Sequence, residues 1–109
     1  MIFLLSRLNT GGTQYYILSL VKALKKQSII SKVLVIRKKD LDYKILKEYS
    51  IHCEIYFLSD FGNFFIPRII SSFFPFFGVN RSKIKDFLSN QKIHVTCPFT
   101  YFVLKNLLP

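Results

Sequence analysis

Residues 1–36 read MIFLLSRLNTGGTQYYILSLVKALKKQSIISKVLVI, and this stretch decides the fold. It begins with an apolar run over residues 1–5 and ends with a second one over 33–36. Such short, continuous apolar runs are typical of buried parallel strands. Between them, apolar side chains recur at helical spacing: Ile17, Leu20, Val21 and Leu24. This spacing predicts an amphipathic helix, so the stretch predicts a β-α-β unit.

The same alternation continues along the rest of the chain. A helix is predicted over 41–49, a strand over 53–58, a helix over 81–90, a strand over 93–97 and the start of a helix over 101–108. Alternating strands and helices predict a parallel sheet. We therefore expect an α/β, Rossmann-like parallel sheet of about four strands with helices on both faces. Because the pattern is unfinished at residue 109, we expect this sheet to be incomplete.

Length and hydropathy narrow the class of protein. The chain has 109 residues, which suffice for one domain, and 50% of them are hydrophobic, which argues against disorder. No stretch reaches the roughly 18 to 20 apolar residues of a spanning helix. The first apolar run has no basic residues before it and no cleavage site after it, unlike a secretory signal. A cytoplasmic location is expected.

The net charge of +10 is the strongest compositional signal. Residues 1–39 contain eight Lys or Arg residues and no Asp or Glu. Such a charge favours anionic partners, namely nucleic acid, acidic lipid or phosphorylated substrates. The basic residues do not interleave with aromatics in a nucleic-acid-binding motif, so nucleic acid is not an expected partner. Codon bias is an alternative source of the charge, since Lys, Ile, Phe, Tyr and Asn are all abundant.

No catalytic set is evident in the sequence. Cys53 and Cys97 are interpreted as buried reduced thiols, and no Cys/His cluster indicates a metal site. His52 and His94 are interpreted as structural or surface residues. The six carboxylates are not paired by any motif. We expect no metal, no cofactor and no catalytic residue.

The Gly11-Gly12 turn is the exception to this lack of signals. Glycine lets the backbone come close to a ligand, and the N-terminus of the following helix offers free N–H groups to an anion. The turn has neither the GxGxxG pattern of a dinucleotide site nor the pattern of a P-loop. An anion-facing loop and a simple tight turn both remain open on this evidence.

The sequence also resembles a known family. The run LNTGGTQ at residues 8–14, with LSLVKAL at 18–24 and VLVI at 33–36, resembles the opening of family 4 glycosyltransferases, which are retaining enzymes of GT-B architecture. Thr13 and Gln14 stand where that family often has Ala-Glu. The resemblance is good over residues 1–40 and looser up to the fourth strand.

There the chain departs from the family pattern. His94 replaces the usual Asp, and Cys97 and Phe99 replace two histidines.

The resemblance implies a function and a site. Residues 1–109 would form a single, partial acceptor-side domain, without the C-terminal domain that holds the nucleotide sugar. The family transfers sugar from a nucleotide sugar to a glycan or lipid-linked acceptor in cell-surface polysaccharide synthesis. Without a separate C-terminal half, these residues would be inactive and would hold only part of a nucleotide-sugar site. The implied cleft residues are Arg7, Asn9, Thr10, Gly11, Gly12, Thr13 and Gln14.

A phenylalanine-rich segment bears on membrane attachment. Residues 57–77 hold eight of the twelve phenylalanines. Family members that act on lipid-linked acceptors tend to attach to membranes through this domain, so the segment is a candidate for contact with the inner face of the membrane. The candidate residues are Phe64, Phe65, Arg68, Phe73, Phe74 and Phe76. The alternative is that these side chains pack on the sheet. The competing function is a small, basic, non-catalytic α/β module that binds an anionic surface.

Overall fold

The computed structural model describes residues 1–9, 11–37, 41–61, 80–89 and 91–107. Strands and helices alternate along them. The strands are β1 (Ile2–Leu5), β2 (Lys32–Val35), β3 (Glu54–Phe57) and β4 (Ile93–Val95). The helices are α1 (Gly12–Lys26), α2 (Tyr43–His52), α3 (Arg81–Leu88) and α4 (Pro98–Leu107), and a 3-10 turn follows β3 at Leu58–Phe61. Thr10 and the six residues proposed for membrane contact lie outside the described residues.

The four strands form one parallel sheet in the order β3-β2-β1-β4. β1 is a central strand: Leu4 pairs with Leu34 of β2 on one side and with Val95 of β4 on the other. All four residues of β1 are buried, as expected for a strand that is covered on both faces. The parallel α/β sheet predicted from the sequence is confirmed.

Alternate residues of the strands point to opposite faces, and each face has its own core. On one face, helices α1 and α2 supply Ile17, Leu18, Val21, Ile45 and Tyr49 to a core that includes Phe3 and Leu5. On the other, helices α3 and α4 supply Ile84, Leu88, Val103 and Leu107 to a core that includes Ile2 and Leu4. The predicted helices on both faces are confirmed.

Local side chains explain where most helices begin. The Asp42 carboxylate accepts hydrogen bonds from the N–H groups of Lys44 and Ile45, and the Asn80 side chain accepts one from Lys83. Both are N-caps of the kind that stabilise a first helical turn. α4 begins at Pro98, where proline lacks only an N–H that would have no helical partner anyway.

Three details of the sequence interpretation were wrong. Residues 50–52, which fall between the predicted helix over 41–49 and the predicted strand over 53–58, are the last turn of α2, which ends where the Cys53 N–H donates to the Tyr49 carbonyl oxygen. α4 begins three residues earlier than expected, at Pro98. Cys97 is half-buried instead of buried, whereas Cys53 is buried and both thiols are free.

Candidate functional site at the carboxyl edge of the sheet

The strand order reverses direction at β1, and we call the space between the loops after β1 and β4, at the carboxyl edge of the sheet, the crevice. The chain moves outward from β1 to β2 and β3, and then returns to the other side of β1 to form β4. Ligands of open α/β sheets bind at such a reversal, outside the carboxyl ends of the strands. The loops after β1 and β4 therefore border the candidate site.

The two glycines of the turn after β1 differ in their surroundings. Gly11 is the N-cap of α1, with an ordinary extended backbone (φ −104°, ψ 163°). A Cβ on Gly11 would crowd the Gln14 side chain, with Cδ at 3.2 Å, and would lie 3.4 Å from Asn9 Oδ1. A Cβ on Gly12 would meet no atom of the described residues within 4 Å. Gly11 is therefore favoured by local crowding, whereas Gly12 borders open space at the start of α1.

Hydrogen bonds hold this turn in place from two sides. Gln14 Nε2 donates to the Arg7 carbonyl oxygen at 3.0 Å, which ties the first turn of α1 back to the loop after β1. The Tyr49 hydroxyl of α2 donates to the Gln14 carbonyl oxygen. Tyr49 is fully buried, and its burial together with the nearby Cys53 raises its pKa, so it keeps the proton that it donates. The turn is thus anchored to both α1 and α2.

The structure brings the described members of the predicted cleft set together at this edge. Arg7, Asn9, Gly11 and Gln14 are half-buried, whereas Gly12 and Thr13 are exposed. The first N–H groups of any helix lack a partner inside the helix, and Gly11 has no side chain that could cap them. The turn can therefore present backbone donors to an anion, although contact with a donor phosphate stays a prediction.

Sequence reasoning missed Arg37, which immediately follows the second apolar run. Its N–H donates to the Ser6 carbonyl oxygen at 3.0 Å, continuing the pairing of β1 and β2. Its Nη2 lies 3.3 Å from Ser6 Oγ, and its guanidinium carbon lies 4.2 Å from the centre of the Phe99 ring. The side chain thus crosses the carboxyl end of β1 and reaches the first turn of α4, which follows β4. Its position directly after a predicted strand was the available signal.

The loop after β4 is held by two threonines. Thr96 Oγ1 donates to the Leu4 carbonyl oxygen at 2.7 Å, which fixes this loop against β1. Thr100 Oγ1 accepts from the Cys97 N–H at 3.2 Å and donates to the Cys97 carbonyl oxygen at 2.8 Å. Thr100 is completely buried, so these bonds are shielded from water. Both borders of the crevice are therefore braced by side chains.

A second polar feature lies at the opposite, amino edge of the sheet. α1 and α2 both end there, since each is followed by the start of a strand. A surface cavity of about 370 Å³ is lined by Lys22, Lys25, Lys26 and His52. Lys25 Nζ donates to the Ile51 carbonyl oxygen at 2.8 Å, which joins the two helix ends. Three isoleucines near these ends are exposed: Ile29, Ile30 and Ile51. We call these seven residues the basic edge.

In the part of the chain that the structure describes, no group of three or more His, Cys, Asp or Glu residues is placed to hold a metal ion. No helix within the same residues is long and apolar enough to cross a membrane. His94 lies exposed in the middle of β4, with its ring 5.3 Å from that of Phe3.

Comparisons with known proteins gave no relative: no family model, no curated protein and no solved structure matches this chain.

Proposed function

We propose that this chain supplies the acceptor-side half of a sugar-transfer cleft, as its resemblance to family 4 glycosyltransferases implies. In this proposal the turn at Gly11 and Gly12 approaches the diphosphate of a nucleotide sugar. A second domain, on this chain or on a separate one, would hold the rest of the donor. The chain would then contribute to transfer onto a glycan or lipid-linked acceptor without catalysing it alone.

One observation carries the proposal. Gly12 borders open space at the start of α1, in a turn that adjoins the strand-order reversal. A diphosphate needs close approach to backbone N–H groups, and the absent side chain at this position leaves room for it. The hydrogen bonds from Gln14 and Tyr49 keep those donors in place before a ligand arrives. Preorganised donors bind an anion without a further ordering cost.

The first prediction concerns Gly12→Ala. A methyl group at this position contacts no atom of the described chain, so the fold should tolerate it. The melting temperature should stay equal or rise slightly, because alanine restricts the unfolded chain more than glycine does. The same methyl group occupies the space that the phosphates need. Affinity for uridine or adenosine diphosphate, measured from amide shifts of the ¹⁵N-labelled chain, should therefore fall by about tenfold.

The matched control is Ser19→Ala, a small change on the exposed side of the same helix. It should leave nucleotide affinity unchanged. In the wild-type chain, the shifted amides should be those of Gly11, Gly12 and Thr13. If neither nucleotide shifts these amides, or if Gly12→Ala binds as well as wild type, the turn does not bind a diphosphate and the proposal fails.

The basic edge favours a second candidate function, attachment to an anionic membrane surface. Its lysines and exposed isoleucines combine charge with apolar area, which is the combination that interfacial binding uses. Each Lys near an anionic surface contributes about 1 kcal/mol of attraction. Attachment at the inner face of the membrane would follow, through described residues other than those in the phenylalanine-rich segment.

The second prediction compares two double variants of equal charge. Lys22→Gln/Lys26→Gln removes two lysines from the basic edge, and Lys83→Gln/Lys85→Gln removes two exposed lysines from α3, on the other face of the sheet. Co-sedimentation with phosphatidylglycerol vesicles at low salt should weaken by about tenfold for the first pair only. Binding to phosphatidylcholine vesicles, or an equal loss in both pairs, would contradict a specific basic edge. High salt should weaken binding, because exposed charges are screened.

A further inference from the structure

Arg37 is a charged side chain at the crevice, and it takes no part in the diphosphate contact proposed for the glycine turn. Its guanidinium lies over the Phe99 ring at 4.2 Å and within 3.3 Å of Ser6 Oγ. Its Nε is buried and has no hydrogen-bond partner among the described residues. A buried donor without a partner costs about 1–3 kcal/mol. The folded state therefore accepts a loss of stability to keep this guanidinium in place.

The charge of Arg37 is not compensated within the described chain. Its pKa is lowered, first by burial and then by the positive charge of Arg7. No described carboxylate is among the groups that act on it. An arginine keeps its proton at any ordinary pH, so the positive charge remains. The Arg37 guanidinium thus places a positive charge at the carboxyl edge of the sheet, between the loop after β1 and the start of α4.

We propose that Arg37 and Ser6 form a subsite for a terminal phosphate group, as found in a phosphate monoester or at the end of a nucleoside diphosphate, separate from the glycine turn. The planar guanidinium donates to phosphate oxygens in a fork, the Ser6 hydroxyl donates from the side, and the Phe99 ring fixes the plane of the fork. A dianion gains more from the Arg37 charge than a monoanion such as a carboxylate does.

In the proposed transferase, two molecules could present this group: a phosphorylated acceptor, or the terminal phosphate of the nucleotide left after transfer. The identity of the ligand therefore rests on the proposed function. The existence of the subsite does not rest on it, because binding of inorganic phosphate alone tests whether the subsite exists. A failure of nucleotide binding at the glycine turn would leave phosphate binding at Arg37 standing.

The test titrates inorganic phosphate into the ¹⁵N-labelled chain at about pH 7.5, where phosphate is mostly dianionic, with ionic strength held constant by chloride. Saturable shifts are expected at the amides of Ser6, Arg37 and Phe99. Arg37→Gln should weaken binding by about tenfold or more, and Ser6→Ala by about threefold. Lys83→Gln, on the exposed side of α3, should bind as wild type does. Absence of saturable shifts, or equal losses in Arg37→Gln and Lys83→Gln, would overturn the inference.

Two further variants keep the test decisive. If Arg37→Gln fails to fold, Arg37→Lys retains the charge and should still bind less tightly than wild type, because it lacks the fork. Asp40, the carboxylate nearest in sequence, lies outside the described residues. Asp40→Asn should leave phosphate affinity within about twofold, since we infer that the guanidinium is not already occupied. A gain of about tenfold in Asp40→Asn would show that Asp40 fills the site and would overturn the subsite.

Competition then distinguishes the two sources. A sugar monophosphate that displaces phosphate from wild type, with the affinity lost in Arg37→Gln, would assign the subsite to the acceptor. The same behaviour with uridine diphosphate would assign it to the released nucleotide. Sulfate, a dianion, should compete better than acetate, and the opposite order would contradict recognition of a dianion.

Discussion

Two buried weak acids give the fold a specific sensitivity to alkaline pH. Burial raises the pKa of Cys53 to about 12, and burial also raises the pKa of the neighbouring Tyr49. The two residues are linked, since Cys53 Sγ donates to the backbone carbonyl oxygen of Tyr49 at 3.2 Å. Both groups lie beneath α2, in the core that anchors the glycine turn. Their protonation therefore bears on the stability of that core.

The third prediction follows from the direction of these shifts. Below pH 9.0, the ordinary pKa of a thiol, Cys53 is neutral in both the folded and the unfolded chain. Above it, the unfolded thiol ionises while the folded one does not until about pH 12. The free energy of unfolding should then fall by about 1.4 kcal/mol per pH unit from Cys53 alone. Tyr49 should add to the loss above pH 10.0.

Urea denaturation at a series of pH values from neutral to strongly alkaline measures this loss. Cys53→Ala should have a visibly shallower slope above pH 9.0, whatever its stability at neutral pH. Cys97→Ala is the matched control, because that thiol is only half-buried, and it should keep the wild-type slope. Equal slopes in Cys53→Ala and wild type would show that the Cys53 thiol does not ionise differently in the two states.

At the scale of elements, the spacing of apolar residues predicted the fold, because each strand or helix shows either a continuous apolar run or a helical repeat. β1 is continuous and apolar, as a central strand covered on both faces must be. The buried face of α1 was predicted less accurately. Leu18 is buried, whereas Leu20 and Leu24 are only half-buried, so the buried stripe is rotated from the predicted one. Packing against α2 sets this rotation, and a single sequence gives no view of the neighbouring helix.

Only one side of the candidate site could be predicted, for a similar reason. The glycine turn is contiguous in sequence, so its residue types were enough to predict it. Ser6 follows β1, Arg37 follows β2 and Phe99 lies in the first turn of α4, and they meet only because the sheet order places β1 between β2 and β4. Alternation of strands and helices predicts that a sheet is parallel, but not which strands are neighbours. The sequence therefore identified one border of the crevice and not the other.

At the scale of the molecule, the two candidate surfaces lie at opposite edges of the sheet. α1 connects them, from Gly12 near the crevice to Lys26 at the basic edge. A 15-residue helix is about 22 Å long. If the basic edge lies on a membrane, the crevice faces away from it at about that distance. For the proposed transferase, such an orientation would suit an acceptor whose glycan extends from the lipid, and not a sugar attached directly at the lipid headgroup.

The shared central strand leads to the fourth prediction, that the two faces unfold together. Leu4 and Leu5 are adjacent, equally buried and directed to opposite cores. Leu4→Ala and Leu5→Ala are therefore a matched pair, and each should lower the free energy of unfolding by about 2–5 kcal/mol. Because β1 bonds to both β2 and β4, loss of either core should open the whole sheet.

Hydrogen exchange measures this coupling directly. The slowest amides of α1, such as Val21, and of α4, such as Val103, should accelerate by the same factor in both variants, because both exchange through one global opening. Independent layers would behave differently. Leu4→Ala would then accelerate only α3 and α4, and Leu5→Ala only α1 and α2. That pattern would also mean that the two borders of the crevice do not belong to one cooperative unit. A fixed arrangement of the two borders requires that they do.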